Sequence, residues 1–166
     1  MLLLIIEGDK MNSKLIAYFS VTGKTKSIAM MLGELLCADV YEIKPQVLYT
    51  PSDLNRYDDN SRTTHEMHDP NIRPKMCEVT FDINNYTDIY IGYPIWWEYA
   101  PKIINTFIES VDLTNKNIFL FCTAESGNIR ISKERILHEY PYLNIVKGKR
   151  FTEYDSHRDI ERWLNE

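Results

Sequence analysis

The chain has 166 residues, 44% of them hydrophobic and 26% charged, the proportions of one folded domain that fills its own core. A net charge of −5 argues against a nucleic-acid-binding surface and is compatible with a basic protein partner or none. The 3 cysteines, Cys37, Cys77 and Cys122, are odd in number and widely spaced, which excludes a disulfide framework and a metal-binding pattern.

The first ten residues open with a short apolar run that Gly8, Asp9 and Lys10 interrupt. The run is too short for a membrane span or a secretory leader. Residues 1–12 are therefore expected to be an extension outside the core, with Met11 as a candidate functional start and residues 13–166 as the domain.

Leu15 to Phe19 is β-branched and aromatic, suited to a buried strand. From Thr25 onward, Ile28, Ala29, Met31, Leu32, Leu35 and Leu36 fall on one helix face, and Cys37 is expected on that apolar side. Between strand and helix lies Ser20-Val21-Thr22-Gly23-Lys24-Thr25, a hydroxyl-rich turn. Such a turn offers free N–H groups and the positive end of a helix dipole to an anion, most often a phosphate. By itself the turn does not separate a phosphate site from a plain N-cap supplied by Ser20 or Thr22.

Ala38 to Lys44 alternates and predicts a second strand with Val40 and Ile43 inward, stopped by Pro45. Pro45 to about Thr80 lacks periodicity and holds four prolines. Within it, Pro51–Tyr57 and Ser61–Asp69 are each candidates for a short helix, and Tyr57, Arg62 and Met67 are candidates to reach a ligand. His65 and His68 share a spacing of three, but no further ligand set accompanies them and a solvated loop is expected. Asp88–Gly92, extended by Tyr93, is a third strand; Ala100–Val111 is a helix with Ile103, Ile104, Phe107 and Ile108 on one face. Asn117–Cys122 is a fourth strand, with Cys122 a buried filler, and Ile131–Tyr140 a helix. Asn144–Val146 reads as a short strand, Lys147-Gly148-Lys149 as a turn, and His157–Leu164 as a final helix with Ile160, Trp163 and Leu164 inward.

Alternating strands and helices mean a parallel sheet covered on both faces, with ligands bound beyond the carboxyl ends of the strands. Three loops then share one rim: Ser20–Thr25, then Pro94-Ile95-Trp96-Trp97-Glu98-Tyr99, then Thr123-Ala124-Glu125-Ser126-Gly127-Asn128. Two adjacent indoles cannot both enter one core, and beside an anion loop they form a ledge for a flat ring. A ring, a short chain and one phosphate together describe FMN.

At these residues the chain resembles the short-chain flavodoxins. The likeness rests on Tyr18-Phe-Ser-Val-Thr-Gly-Lys-Thr25, Gly92-Tyr-Pro-Ile-Trp-Trp97, Phe121-Cys-Thr123 and Asn60-Ser-Arg62 with Glu66-Met67, and spans about residues 13–166. The resemblance implies a flavodoxin-like three-layer α/β sandwich, a five-stranded parallel sheet in order 2-1-3-4-5, with FMN between strands one and three. It implies that Ser20, Val21, Thr22, Gly23, Lys24 and Thr25 hold the phosphate. Pro94, Ile95, Trp96 and Trp97 would flank the isoalloxazine, and Thr123, Ala124, Glu125, Ser126 and Gly127 border its other side. The chain departs from that pattern at Lys24, where the family branch usually carries Asn, and in the third loop, Thr123-Ala-Glu-Ser-Gly-Asn128, which is typically richer in Gly and Ser in relatives.

No general base, nucleophile or metal ligand is evident by spacing. Glu98 and Glu125 lie near the ring position and no Lys or Arg adjoins the tryptophans, so a low-potential redox carrier in the cytoplasm is expected. Its expected partners are a redox protein or a small electron donor or acceptor, with no nucleic acid or membrane, as a monomer or weak dimer. The alternatives are an FMN-dependent NAD(P)H:quinone oxidoreductase and a flavin-free protein of the same fold.

Overall fold

The computed structural model describes residues 13–166; the expectations for residues 1–12 lie outside the described residues. In chain order the elements are β1 (Lys14–Tyr18), α1 (Lys24–Leu36), β2 (Asp39–Glu42), α2 (Arg62–His68), β3 (Asp88–Pro94), α3 (Lys102–Ser110), β4 (Asn117–Thr123), α4 (Arg130–Glu139), β5 (Asn144–Phe151) and α5 (His157–Asn165). The five strands form one sheet in the order β2-β1-β3-β4-β5, and every neighbouring pair is parallel.

Strand periodicity divides the core in two. Leu15 and Ala17 of β1 with Phe19 just after it, Ile89, Ile91 and Tyr93 of β3, and Ile118, Leu120 and Cys122 of β4 face α3 and α4. Ile16, Tyr18, Tyr90 and Phe121 face α1 and α5, against Ile28, Ala29, Leu32, Ile160 and Trp163. Gly92 sits where β3 must let the Phe121 ring pass: a Cβ there would lie 2.1 Å from Phe121 Cζ.

Four expectations need correction. Cys37 is not on the apolar face of α1; it is the exposed C-cap, at φ 49°. Val40 is 37% exposed, because β2 is an edge strand, whereas Ile43 is buried. Lys147-Gly148-Lys149 is strand, not turn: a register shift beside Ile118 and Phe119 lets β5 run on to Phe151. There Lys147 Nζ donates to the Trp163 carbonyl at 2.6 Å, a cation at the C-terminal end of α5. Finally, Pro51–Tyr57 holds turns and no helix, while Ser61 caps α2 by accepting from the Thr64 N–H.

Candidate functional site

Because β1, β3 and β4 are parallel, their carboxyl ends open on one rim, at the point where the chain winding reverses between β1 and β3. A cavity of about 730 Å3 lies there. Ser20, Val21, Thr22 and Thr25 line it from the first loop, Pro94, Ile95, Trp96 and Trp97 from the second, and Ala124, Glu125, Ser126 and Gly127 from the third. Lys24 and Thr123 line instead an adjoining recess of about 560 Å3, which shares Thr22, Pro94, Ala124 and Glu125 with the cavity. Gly23 lines neither.

Gly23 acts through its backbone. It is the N-cap of α1, at φ 90°, with no side chain capping the helix and no acidic residue in the first turn. The first turn of α1 therefore begins without a carboxylate or hydroxyl seated on its N–H groups, the condition an anion site requires. A plain Ser or Thr N-cap would have filled that position. Ser20 Oγ accepts from the Gly23 N–H at 3.1 Å, which fixes the loop without blocking the helix start. Thr25 is buried, and its hydroxyl meets that of Thr123 at 2.7 Å, tying the first loop to the end of β4.

The departure at Lys24 has a visible consequence. Its ammonium lies 3.2 Å from Glu153 and 3.6 Å from Glu125, so it bridges the first loop to the third and to the chain after β5. The hydrogen bond with Glu153, reinforced by its charge, raises the Lys24 ammonium above the usual lysine range.

The two indoles part company. Trp96 packs edge-on against Phe19, centroids 5.6 Å apart, and Tyr49, at 5.4 Å. Trp97 meets the His68 ring at 6.3 Å. Trp96 and Tyr99 exchange both backbone hydrogen bonds, each 2.9 Å, and between them Trp97 and Glu98 hold φ of 47° and 70°. Positive φ at both central residues is the mark of a type I′ turn, which Asn-Gly would adopt without strain. Here the sequence places two bulky residues in that conformation, which costs about 1–2 kcal/mol for each.

Behind Trp96 stands a polar brace from the segment that shows no periodicity. Tyr49 donates its hydroxyl proton to Glu66 at 2.6 Å, Arg62 Nε donates to Glu66 at 2.8 Å, and the Arg62 guanidinium lies 3.8 Å over the Tyr49 ring. Arg62 also donates to the Val47 carbonyl. Burial, then the hydrogen bond to Glu66, pushes the Tyr49 phenol well above its ordinary range. None of Tyr57, Arg62 or Met67 lines the cavity; Leu54, Arg56 and Thr63 do. Arg56 brings a cation to the cavity that Trp96 and Trp97 line, although no Lys or Arg adjoins them in the chain. Its signal was a lone Arg in an aperiodic stretch, which nothing local distinguishes from a solvated one.

The donor set fits a phosphomonoester joined to a flat ring: an uncapped helix start and hydroxyls at one end, an indole ledge beside it, and backbone on the far side. An α/β domain with these features at its winding reversal is a nucleotide-cofactor binder by class. A family model for flavodoxins matches residues 13–166, and the chain belongs to that family. Among solved structures, the chain is similar to a flavoprotein candidate from Bacteroides eggerthii, with 38% identity over 92% of this chain and 96% of the other, and TM-score 0.88. A second flavoprotein candidate, from Bacteroides uniformis, shows 37% identity over 93% and 99%, with TM-score 0.90. A Lactobacillus acidophilus flavoprotein solved in complex with FMN shares the fold at 22% identity, over 92% and 99%, with TM-score 0.71. No curated protein matches the sequence significantly.

Proposed function

We propose that this chain is an FMN-dependent electron-transfer protein of low reduction potential, exchanging electrons with a redox protein or a small donor or acceptor at the rim. FMN is the cofactor of the flavodoxin family, and when bound it supplies the electron-accepting ring. The observation that carries the reading is the Gly23-capped, otherwise uncapped start of α1 opening on the cavity that Trp96 and Trp97 also line.

The chain's own residues would then divide the work. The α1 N–H groups, with Ser20 and Thr22, hold the phosphate; Trp96 and Trp97 flank the ring and restrict water around it. Glu98 and Glu125 oppose added negative charge, while Arg56 works against them and Lys24 is paired with Glu125. The lining of the cavity includes Arg56, Glu98 and Glu125 but no His, Cys or Lys among the described residues. Among the described residues no helix is long and apolar enough to cross a membrane.

Mixing the FMN-loaded protein with NADH or NADPH tests the assignment. A carrier stays yellow until a reductase partner or dithionite is added. Prompt bleaching, with turnover on a quinone, would make it an oxidoreductase. A colourless chain that takes up no FMN would overturn both.

A further inference from the structure

A second, smaller cavity of about 170 Å3 lies beside the Trp96–Tyr99 hairpin, between the start of α3, one face of α4 and the end of α2. Lys102 is part of its wall and is only 7% exposed. A lysine with so little exposed surface normally keeps its ammonium paired or in water. Among the described residues, Lys102 Nζ has neither a hydrogen-bond acceptor nor a carboxylate within ion-pair distance. Two of the neighbouring carboxylates are committed elsewhere, and a third, Asp69, acts on Lys102 through its charge without reaching it. Glu139 accepts from Asn105 Nδ2 at 2.5 Å and Arg135 Nε at 2.6 Å. Glu109 accepts from Arg73 Nε at 2.9 Å and the Tyr140 hydroxyl at 2.5 Å.

Among the described residues, no side-chain nitrogen or oxygen cut off from solvent lacks a partner. Lys102 Nζ must therefore be reached through the cavity it lines. Burial lowers the Lys102 ammonium below the usual lysine range, against the opposing pull of the Glu139 charge. Glu139 itself stays below the usual carboxylate range: burial raises it, but the bonds from Arg135 and Asn105 and the Lys102 charge outweigh that. Among the Lys, Arg, Asp and Glu residues that line the cavity, Arg135 and Glu139 pair, and Lys102 leaves one positive charge in excess; the Arg73 and Asp69 charges act on it from outside the wall and oppose each other.

The helix beneath it adds to that charge. α3 has 9 residues, Pro101 as its N-cap, no side-chain cap and no acidic residue in its first turn. At about 30 Å3 per water the cavity holds roughly five or six waters, enough for a compact oxyanion and too little for a nucleotide.

We propose that this cavity binds a small oxyanion, a carboxylate or a phosphate group, on Lys102. The proposal does not depend on the redox assignment, since Lys102 does not line the flavin cavity.

The test is a ¹H–¹⁵N titration of the full chain loaded with FMN, so that the first loop is already occupied. Sodium phosphate and sodium acetate are added in separate arms at constant ionic strength. If the chain takes up no FMN, the same titration on the unloaded chain still reads the Lys102 region apart from Gly23 and Thr25. Saturable shifts at Ala100, Lys102 and Asn105 in either arm support the site, and the arm that saturates distinguishes phosphate from carboxylate. Lys102→Met should weaken binding at least tenfold while FMN uptake is unchanged, and Lys102→Arg should retain it. Linear, unsaturated shifts in both arms, or an unchanged midpoint in Lys102→Met, would overturn the proposal. Should Lys102→Met fail to fold, the wild-type and Lys102→Arg titrations decide it.

Discussion

The wall of the cavity that carries Trp96 is braced from behind, and the wall that carries Glu125 is nearly free of support. Trp96 rests on Phe19 and Tyr49, and Tyr49 is locked by Glu66 and Arg62. Glu125 to Asn128 are exposed; Arg150 donates to the Ala124 carbonyl at 2.9 Å and the Glu125 carbonyl at 3.4 Å, Asn128 accepts from the Arg130 N–H at 2.8 Å, and Lys24 pairs with Glu125. An exposed pair of that kind contributes little, about 0–1 kcal/mol. A ring pressed between these walls would meet one surface fixed before it arrives and one that is ordered by its arrival. The braced wall should set affinity, and the open wall should set how a partner or solvent reaches the ring.

The sharpest way to break the contrast is to remove the brace. Glu66→Ala leaves the Arg62 guanidinium and the Tyr49 hydroxyl without their acceptor and should cost about 3 kcal/mol in urea denaturation. Ser126→Ala on the open wall should stay within about 0.5 kcal/mol. Equal losses would mean that the two walls are alike. Trp96→Ala should weaken FMN binding by about 1–3 kcal/mol, read by the change in flavin absorbance on titration. Ser126→Ala should leave that affinity close to wild type. Next in size is the strained hairpin. Glu98→Gly relieves the left-handed backbone at φ 70° and should stabilise the chain by about 1 kcal/mol. If it destabilises, Glu98 is held by a contact that outweighs the strain.

The smallest effect is a matter of pH. The Tyr49 phenol is raised in the folded state, so its contribution to stability is complete below its unfolded value of about 10 and is lost as pH rises beyond it. Tyr86, Tyr90 and Tyr140, each pushed up to about 12 with burial the leading cause, contribute a loss of the same sign between pH 10 and about 12. Tyr49→Phe should therefore flatten the fall in stability above pH 10 without abolishing it. An unchanged slope would show that the brace does not titrate with the fold.

Much of this contrast lay beyond a reading along the chain. Strand and helix periodicities placed Leu15–Phe19, Ile28–Leu36 and Ile103–Ile108 because each element buries one face, and a buried face leaves a repeat in the sequence. The loops followed, since parallel strands put their carboxyl ends on one rim. The brace left no such trace. Arg62 and Glu66 stand four apart on the short helix α2, but Tyr49 joins them from an irregular segment, and no repeat in the sequence relates it to them. Arg56 entered the cavity for the same reason. Lys147-Gly148-Lys149 has the composition of a turn and hides the length of β5, because an edge strand accepts lysines whose stems lie along the sheet. The strain at Trp97 and Glu98 was hidden by residue type: a type I′ turn normally announces itself with Asn or Gly.

A potentiometric titration of the FMN-loaded chain tests the central claim most directly. The net charge of −5, with Glu98 and Glu125 at the rim, predicts that the fully reduced flavin forms at a lower potential than in free FMN. Glu98→Gln should raise that potential and Arg56→Gln lower it, each by on the order of 30 mV. A potential at or above that of free FMN, or no response to either substitution, would contradict the account.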